Sequence, residues 1–203
     1  MLFSKIFAPV AMAATAFAAA TPQQVADSIN SLTQKSQALQ NPAQSITLIN
    51  APLIVIGQGP FPQLITGFTD IVSTATVLVS QLQGFGPVQK RAVHARDFSV
   101  EERGLEARGP DADLIFNAFR GFVRVHQELL NILIGKAGIL EKVPVVGQPV
   151  ATVLRQVEGV VDTIAITLIN TVESRSKDLE AEANSLGNTL DLTIQKYSLD
   201  VNV

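Results

Sequence analysis

DADLIFNAFRGFVRVHQELLNILIGKAGIL, Asp111 to Leu140, is the stretch that decides the fold. It contains no Pro, and it is far longer than a strand. At 100° per residue, Leu114, Ile115, Ala118, Phe119, Phe122, Val125, Leu129, Ile132 and Leu133 fall on one broad arc. Arg120, Arg124, Gln127, Glu128 and Asn131 fall opposite. The pattern predicts one long amphipathic helix, capped by Asp111 and loosened at its end by Gly135 and Gly138. Such a helix must bury its arc against other elements. His126 lies inside that arc, beside Phe119 and Phe122.

The flanking sequence supplies partners of the same kind. Downstream, Val143 to Gly147 is a short Pro/Gly connection, and Pro149 opens another helical stretch. Its apolar face is Val150, Val153, Val157, Val160, Val161, Ile164 and Leu168, with Arg155 and Asp162 facing out. A last stretch carries Leu179, Ala183, Leu186, Leu190, Ile194 and Tyr197, close to a heptad. No Pro or Gly separates these two, so a continuous connection through Glu173-Ser174-Arg175 is open on the sequence.

Upstream, Thr21-Pro22 reads as a cap followed by Pro in the first helical turn. Val25, Ile29, Leu32 and Leu39 then form a stripe that includes Ser36. Asn41-Pro42 repeats the same signal and predicts a second helix with Ile46, Ile49, Leu53 and Ile56 on one face, kinked or shortened at Pro52. Gly57-Gln58-Gly59-Pro60 is a turn. A third helix follows from Phe61 to Gln83, with the stripe Phe61, Ile65, Phe68, Val72, Ala75, Val79 and Leu82. No alternating strand pattern and no internal repeat occurs. The expected fold is all-α, an antiparallel bundle of about five to six helices.

Charge is distributed unevenly. From Thr21 to Phe85 only Asp27, Lys35 and Asp70 are charged, and the outer helix faces are Gln, Ser, Thr and Asn. Neutral amides and hydroxyls lose water at far lower cost than ions do. Two stretches here are very apolar, yet neither reads as a membrane span. Ala43 to Ile56 is too short and carries Pro52, and Phe61 to Gln83 contains Asp70 with many Ser, Thr and Gln. From Gly86 to Pro110 the chain reads GPVQKRAVHARDFSVEERGLEARGP, with nine charges in 25 residues and Gly and Pro at its edges. This is a charged, flexible insert. Lys90-Arg91 within it is a dibasic pair of the kind that processing proteases cut, or an uncut solvated loop.

The N-terminus reads as a secretory signal over residues 1–20. Lys5 is followed by an Ala-rich apolar run from Ile6 to Phe17, and Ala-x-Ala fits at Ala16-Phe17-Ala18 and at Ala18-Ala19-Ala20. The run is too short for an anchor. The bundle domain then occupies residues 21–203, and the expected location is secreted, either extracellular or in a cell wall. A chain of this size with 47% apolar residues can bury a core without disulfides, and it has no Cys. The net charge is −3, more negative still without Lys5, so nothing favours nucleic acid or anionic headgroups.

Catalytic patterns are missing. There is no Cys and no Gly-x-Ser-x-Gly, and the two His residues, His94 and His126, are far apart in sequence. Gly135-Lys136 is followed by Ala137 where a phosphate loop needs Ser or Thr. Neither an enzyme activity, a cofactor nor a metal site is expected. The candidate ligand-binding residues are Phe68, Phe119, Phe122, His126, Leu129, Val157, Val161 and Ile164, on the inward arcs of three helices. They share an interior if those helices are neighbours, as the short 143–147 connection suggests for the last two. His126 is the sole ionisable group among them. It reads either as a core histidine with one hydrogen bond or as a polar contact at the end of an apolar pocket.

The leader, the absence of Cys, and long Val/Ile/Leu/Ala helices with Ser/Thr/Gln faces together resemble the fungal hydrophobic surface binding protein A family, also called the antigenic cell-wall galactomannoprotein family. Thr21–Gln40, Phe61–Gln83 and Pro149–Val172 are the segments most similar to it. The Pro/Gly-rich stretch from Asn50 to Pro62 and the insert after Phe85 depart from the family pattern. The resemblance implies a helical bundle that adsorbs to hydrophobic surfaces or holds a fatty acid among its helices. The expected partner is therefore a fatty acid, another apolar ligand or a hydrophobic surface. The alternative is a structural cell-wall or extracellular-matrix protein with polysaccharide or protein partners.

Overall fold

A computed structural model describes residues 20–47, 49, 58–86, 109–140 and 147–198. Among the described residues are five α-helices, α1 (Pro22–Gln44), α2 (Pro60–Gln83), α3 (Pro110–Leu140), α4 (Gly147–Thr171) and α5 (Ser176–Ser198), with a 3-10 turn at Glu173–Arg175. No strand occurs among the described residues. Leader residues 1–19, insert residues 87–108 with Lys90 and Arg91, and most of the stretch expected to form a helix after Pro42 lie outside the described residues.

Local sequence accounts for most helix ends. The Thr21 hydroxyl accepts from the Gln24 amide at 3.2 Å, and the Gln24 side chain accepts from the Thr21 amide at 2.8 Å, a reciprocal capping box ahead of Pro22. Gly59 precedes α2 with φ 89°, a left-handed conformation that favours glycine. Two expected boundaries move. Asn41-Pro42 does not start a helix, because α1 runs through Pro42 to Gln44. Pro42 has no N–H to give the Ala38 carbonyl, so this last turn lacks one helical hydrogen bond, and the helix ends two residues later. Pro110, not Asp111, opens α3, and the Gly109 carbonyl accepts from the amides of Ala112 and Asp113. The last two stretches do not merge. Val172 leaves helical geometry and the chain reverses, because α5 packs back along α4.

The helices close into a ring. α1 packs on α2 and α3, α3 on α5, α5 on α4, and α4 on α2. Chain direction follows from the bonded pairs. Ser36–His126 and Ile46–Lys136 advance together, so α1 and α3 run parallel. Asp113–Arg175, Gln127–Ser185 and Leu133–Tyr197 advance together as well, so α3 and α5 are also parallel. Ser28–Gln81 and Lys35–Asp70 run in opposite senses, making α1 and α2 antiparallel. α3 and α4 are consecutive but do not flank one another. Residues 141–146, at about 3.3–3.6 Å each, are long enough to pass one helix at an interaxial spacing of about 8–10 Å.

The inner faces form one continuous apolar cluster. On α2 the buried line is Phe61, Leu64, Phe68, Ile71, Ala75, Leu78 and Leu82, whereas Ile65, Val72 and Val79 are half-buried. The expected stripe is therefore rotated, because α2 must satisfy α1 on one flank and α4 on the other. For the same reason Phe116, Val123 and Leu130 join the buried side of α3 and Leu154 that of α4. By length and composition α2 is apolar enough to cross a membrane; here its inner face packs in the ring and its Asp70 pairs with Lys35. Exposed hydroxyls of Thr69, Thr76 and Ser80 donate to carbonyls one turn back, which uses their protons within the helix.

At one point the Leu39 side chain of α1 occupies the space over a glycine of α2. A Cβ placed on Gly67 would overlap the Leu39 side chain. Gly67→Val is expected to displace the buried Leu39 side chain and destabilise the protein by about 1–3 kcal/mol in urea denaturation, since overpacking displaces neighbours. Adding Leu39→Ala should recover part of that loss. Strict additivity of the two changes would mean that they do not touch.

Candidate functional site

All eight candidate residues are buried in the shared cluster: Phe68 on α2, Phe119, Phe122, His126 and Leu129 on α3, and Val157, Val161 and Ile164 on α4. The expectation that α3 and α4 are adjacent does not hold, since they lie across the ring from one another. Phe68 meets His126 edge-on, with ring centroids 6.3 Å apart and planes at 81°. α2 does not flank α3 either, so these rings meet inside the ring of helices. Phe122 lies 5.2 Å from the His126 ring, and Phe119 extends the aromatic group, 6.4 Å from Phe122.

One residue of this site escaped assignment from sequence. Ser36 of α1 is fully buried, and its Oγ lies 2.9 Å from His126 Nδ1 and 2.9 Å from the Leu32 carbonyl. Its position in the first apolar stripe was the available signal. A hydroxyl has one proton. Both contacts are hydrogen bonds only with the Ser36 hydroxyl donating to the Leu32 carbonyl and the imidazole hydrogen on Nδ1, and the tautomer is assigned on that ground. His126 Nε2 is then a bare lone pair. It is fully buried and has no hydrogen-bond partner among the described residues.

Burial holds the imidazole neutral, with its pKa lowered from 6.5 to about 4, and desolvation is the cause. The ring thus offers an uncharged acceptor in an apolar interior. The Ser–His contact does not have the form of a nucleophile and its base. The nitrogen facing Ser36 carries the proton, and the hydroxyl hydrogen is committed to backbone. No group of three or more His, Cys, Asp or Glu able to hold a metal occurs among the described residues.

The other polar groups inside are satisfied. Tyr197 Oη donates to the Leu133 carbonyl at 2.9 Å, and the buried Thr193 hydroxyl donates to the Thr189 carbonyl at 2.6 Å. Near the ring's end, Arg175 donates to both Asp113 and Asp178 and lies 4.8 Å above the Phe116 ring, tying the turn before α5 to the start of α3. An open groove of about 860 Å³ runs between the start of α1 and the end of α2, bordered by Gln24, Ser28, Val77 and Gln81. A smaller one of about 380 Å³ lies between α4 and α5, beside Ile166, Ile169 and Gly187. Neither contains a candidate residue.

No protein-family model matches this sequence, and no curated protein does. Among solved structures, the crystal structure of AFMP4P in complex with palmitic acid is similar, with a TM-score of 0.68 over 87% of this chain and 99% of that one. The two share a fold. At 11% identity the likeness extends no further than the helical architecture.

Proposed function

We propose that this chain is a secreted, non-catalytic lipid carrier that holds a fatty acid inside its ring of five helices. The observation that carries the reading is the fully buried Nε2 of His126, without a partner among the described residues, on a ring that meets Phe68 and Phe122. An unpaired polar atom in such a place costs about 1–3 kcal/mol. A ligand with one polar end would relieve that cost, and its apolar tail would lodge among the apolar side chains of the interior. The fold it shares with AFMP4P, a protein crystallised with palmitic acid, supports the same reading. So does the resemblance to the hydrophobic surface binding protein A family. Secretion rests on the leader pattern of residues 1–20.

Native mass spectrometry of the secreted protein tests this directly, with a co-purified fatty acid as the expected result. Val161 lies in the interior on α4. Val161→Phe should fill the space and weaken binding of palmitic acid at least about tenfold, with a loss of stability below the roughly 1–3 kcal/mol of an overpacked core. No saturable binding by the wild type, together with unfolding of Val161→Phe, would overturn the proposal. The alternative of a structural wall protein would then stand.

A further inference from the structure

We infer that His126 Nε2 receives a head group that brings its own proton, a carboxylic acid or an alcohol, so that a fatty carboxylate binds only with uptake of one proton from solvent. This inference rests on the lipid-carrier reading and specifies the chemistry of its polar end.

The argument is a count of hydrogens. The Ser36 hydroxyl donates to Leu32, and His126 Nδ1 donates to Ser36, so both protons on that side are used. What remains is an acceptor. A carboxylate is also acceptor-only, and two lone pairs facing each other in an apolar interior repel. One proton between them removes the conflict. It makes either a carboxylic acid donating to a neutral imidazole or a carboxylate accepting from an imidazolium. Both forms contain the same single proton and have no net charge. An alcohol meets the same requirement without any proton uptake, whereas a methyl ester has no hydrogen to donate.

The surroundings do not supply that proton. α1 presents the Ser36 hydroxyl to His126, and α2 presents Phe68. On α5, which packs on α3, Tyr197 already donates to Leu133, and burial raises its pKa further. Several charged groups of the packed elements pair elsewhere, Lys35 of α1 with Asp70, Glu182 of α5 with Arg120 of α3, and Arg175 of the turn with Asp113 and Asp178, and none of the others, Asp27 of α1 and Lys177, Glu180 and Lys196 of α5, is bonded to His126. Glu128 of α3 pairs with Arg124. On α4, Glu158 and Asp162 interact with Asp191 of α5 in a cluster of their own. Desolvation alone shifts His126, with no contribution from any of these charges. The proton therefore comes from bulk solvent.

Binding of dodecanoic acid, 1-dodecanol and methyl dodecanoate to the delipidated protein, each measured at pH 6, 7 and 8, tests the inference. A free fatty acid is ionised throughout this range and His126 is neutral. The Kd of the acid is therefore expected to rise about tenfold per pH unit, about a hundredfold in all. The alcohol should bind with the same Kd at each pH. The ester should bind about tenfold more weakly than the alcohol, for lack of one hydrogen bond. In His126→Leu the preference for alcohol over ester should disappear. If that variant does not fold, the three-ligand series on the wild type decides alone. A pH-independent Kd for the acid, or an ester that matches the alcohol, would overturn the inference while leaving the lipid-carrier reading intact. Failure of all three ligands to bind would overturn both.

Discussion

Acidifying the ligand-free protein from pH 7 to pH 4 is expected to remove about 3 kcal/mol of stability through His126 alone. The folded protein holds this imidazole neutral, with a pKa of about 4 against 6.5 in the unfolded chain. Below pH 6.5 the unfolded state takes up a proton that the folded state refuses. The stability contribution is therefore complete above pH 6.5 and is lost as pH falls toward 4. The Glu158 and Asp162 carboxyls act in the opposite sense. Burial and the nearby Asp191 raise their values, so their contribution is present at low pH and is lost as pH rises through those values. Both remain largely solvated, whereas His126 is fully buried, so His126 should dominate. Urea midpoints at pH 7, 5.5 and 4 measure the net effect. In His126→Gln, which has no titrating ring, the decline should shrink markedly. Parallel curves for the two proteins would mean that the imidazole is not held neutral in the folded state.

Phe122→Ala should cost about 3–5 kcal/mol, the range for deleting a fully buried aromatic ring. Phe122 is 1% exposed and touches both Phe119 and His126. Its ring stands at the centre of the aromatic group on α3, where both flanking helices hold the backbone in place and limit collapse around the void. The lost ring also leaves the Ser36–His126 pair with fewer neighbours to fix it. Urea denaturation at pH 7 gives the value. A cost under about 1 kcal/mol would show that the interior is loosely filled at this point.

The helices were legible because their signals are local. Thr21, Pro22 and Gln24 lie within one turn of each other and form the capping box that the sequence pattern implies. Val25, Ile29, Leu32 and Leu39, spaced by helical periods, are all buried, as are Leu179, Leu186, Leu190 and Tyr197. Asn41-Pro42 misled for an equally local reason. The same dipeptide that begins a helix is tolerated in the final turn of one, and only the continued packing of α1 onto its neighbours separates the two cases. The stripe on α2 was displaced because hydrophobicity alone places its centre. A helix flanked on two sides buries a wider arc, whose middle depends on where both neighbours stand.

What the sequence determined by itself is the set of parts: an all-α chain, most of the inward residues of α1 and α5, and the isolation of a single ionisable residue, His126, within an apolar arc. Each follows from residue spacing within about thirty positions, where helix geometry alone decides which side chains coincide. The ring order belonged to the tertiary structure. So did the parallel course of α1, α3 and α5, and the placing of α4 across from α3 despite the short connection between them. These depend on how five apolar faces share one interior, a choice no single helix contains. Ser36 and His126 are ninety residues apart, and only that shared interior brings them to 2.9 Å. That contact underlies the assignment of the imidazole hydrogen to Nδ1, and with it the proposed head-group chemistry.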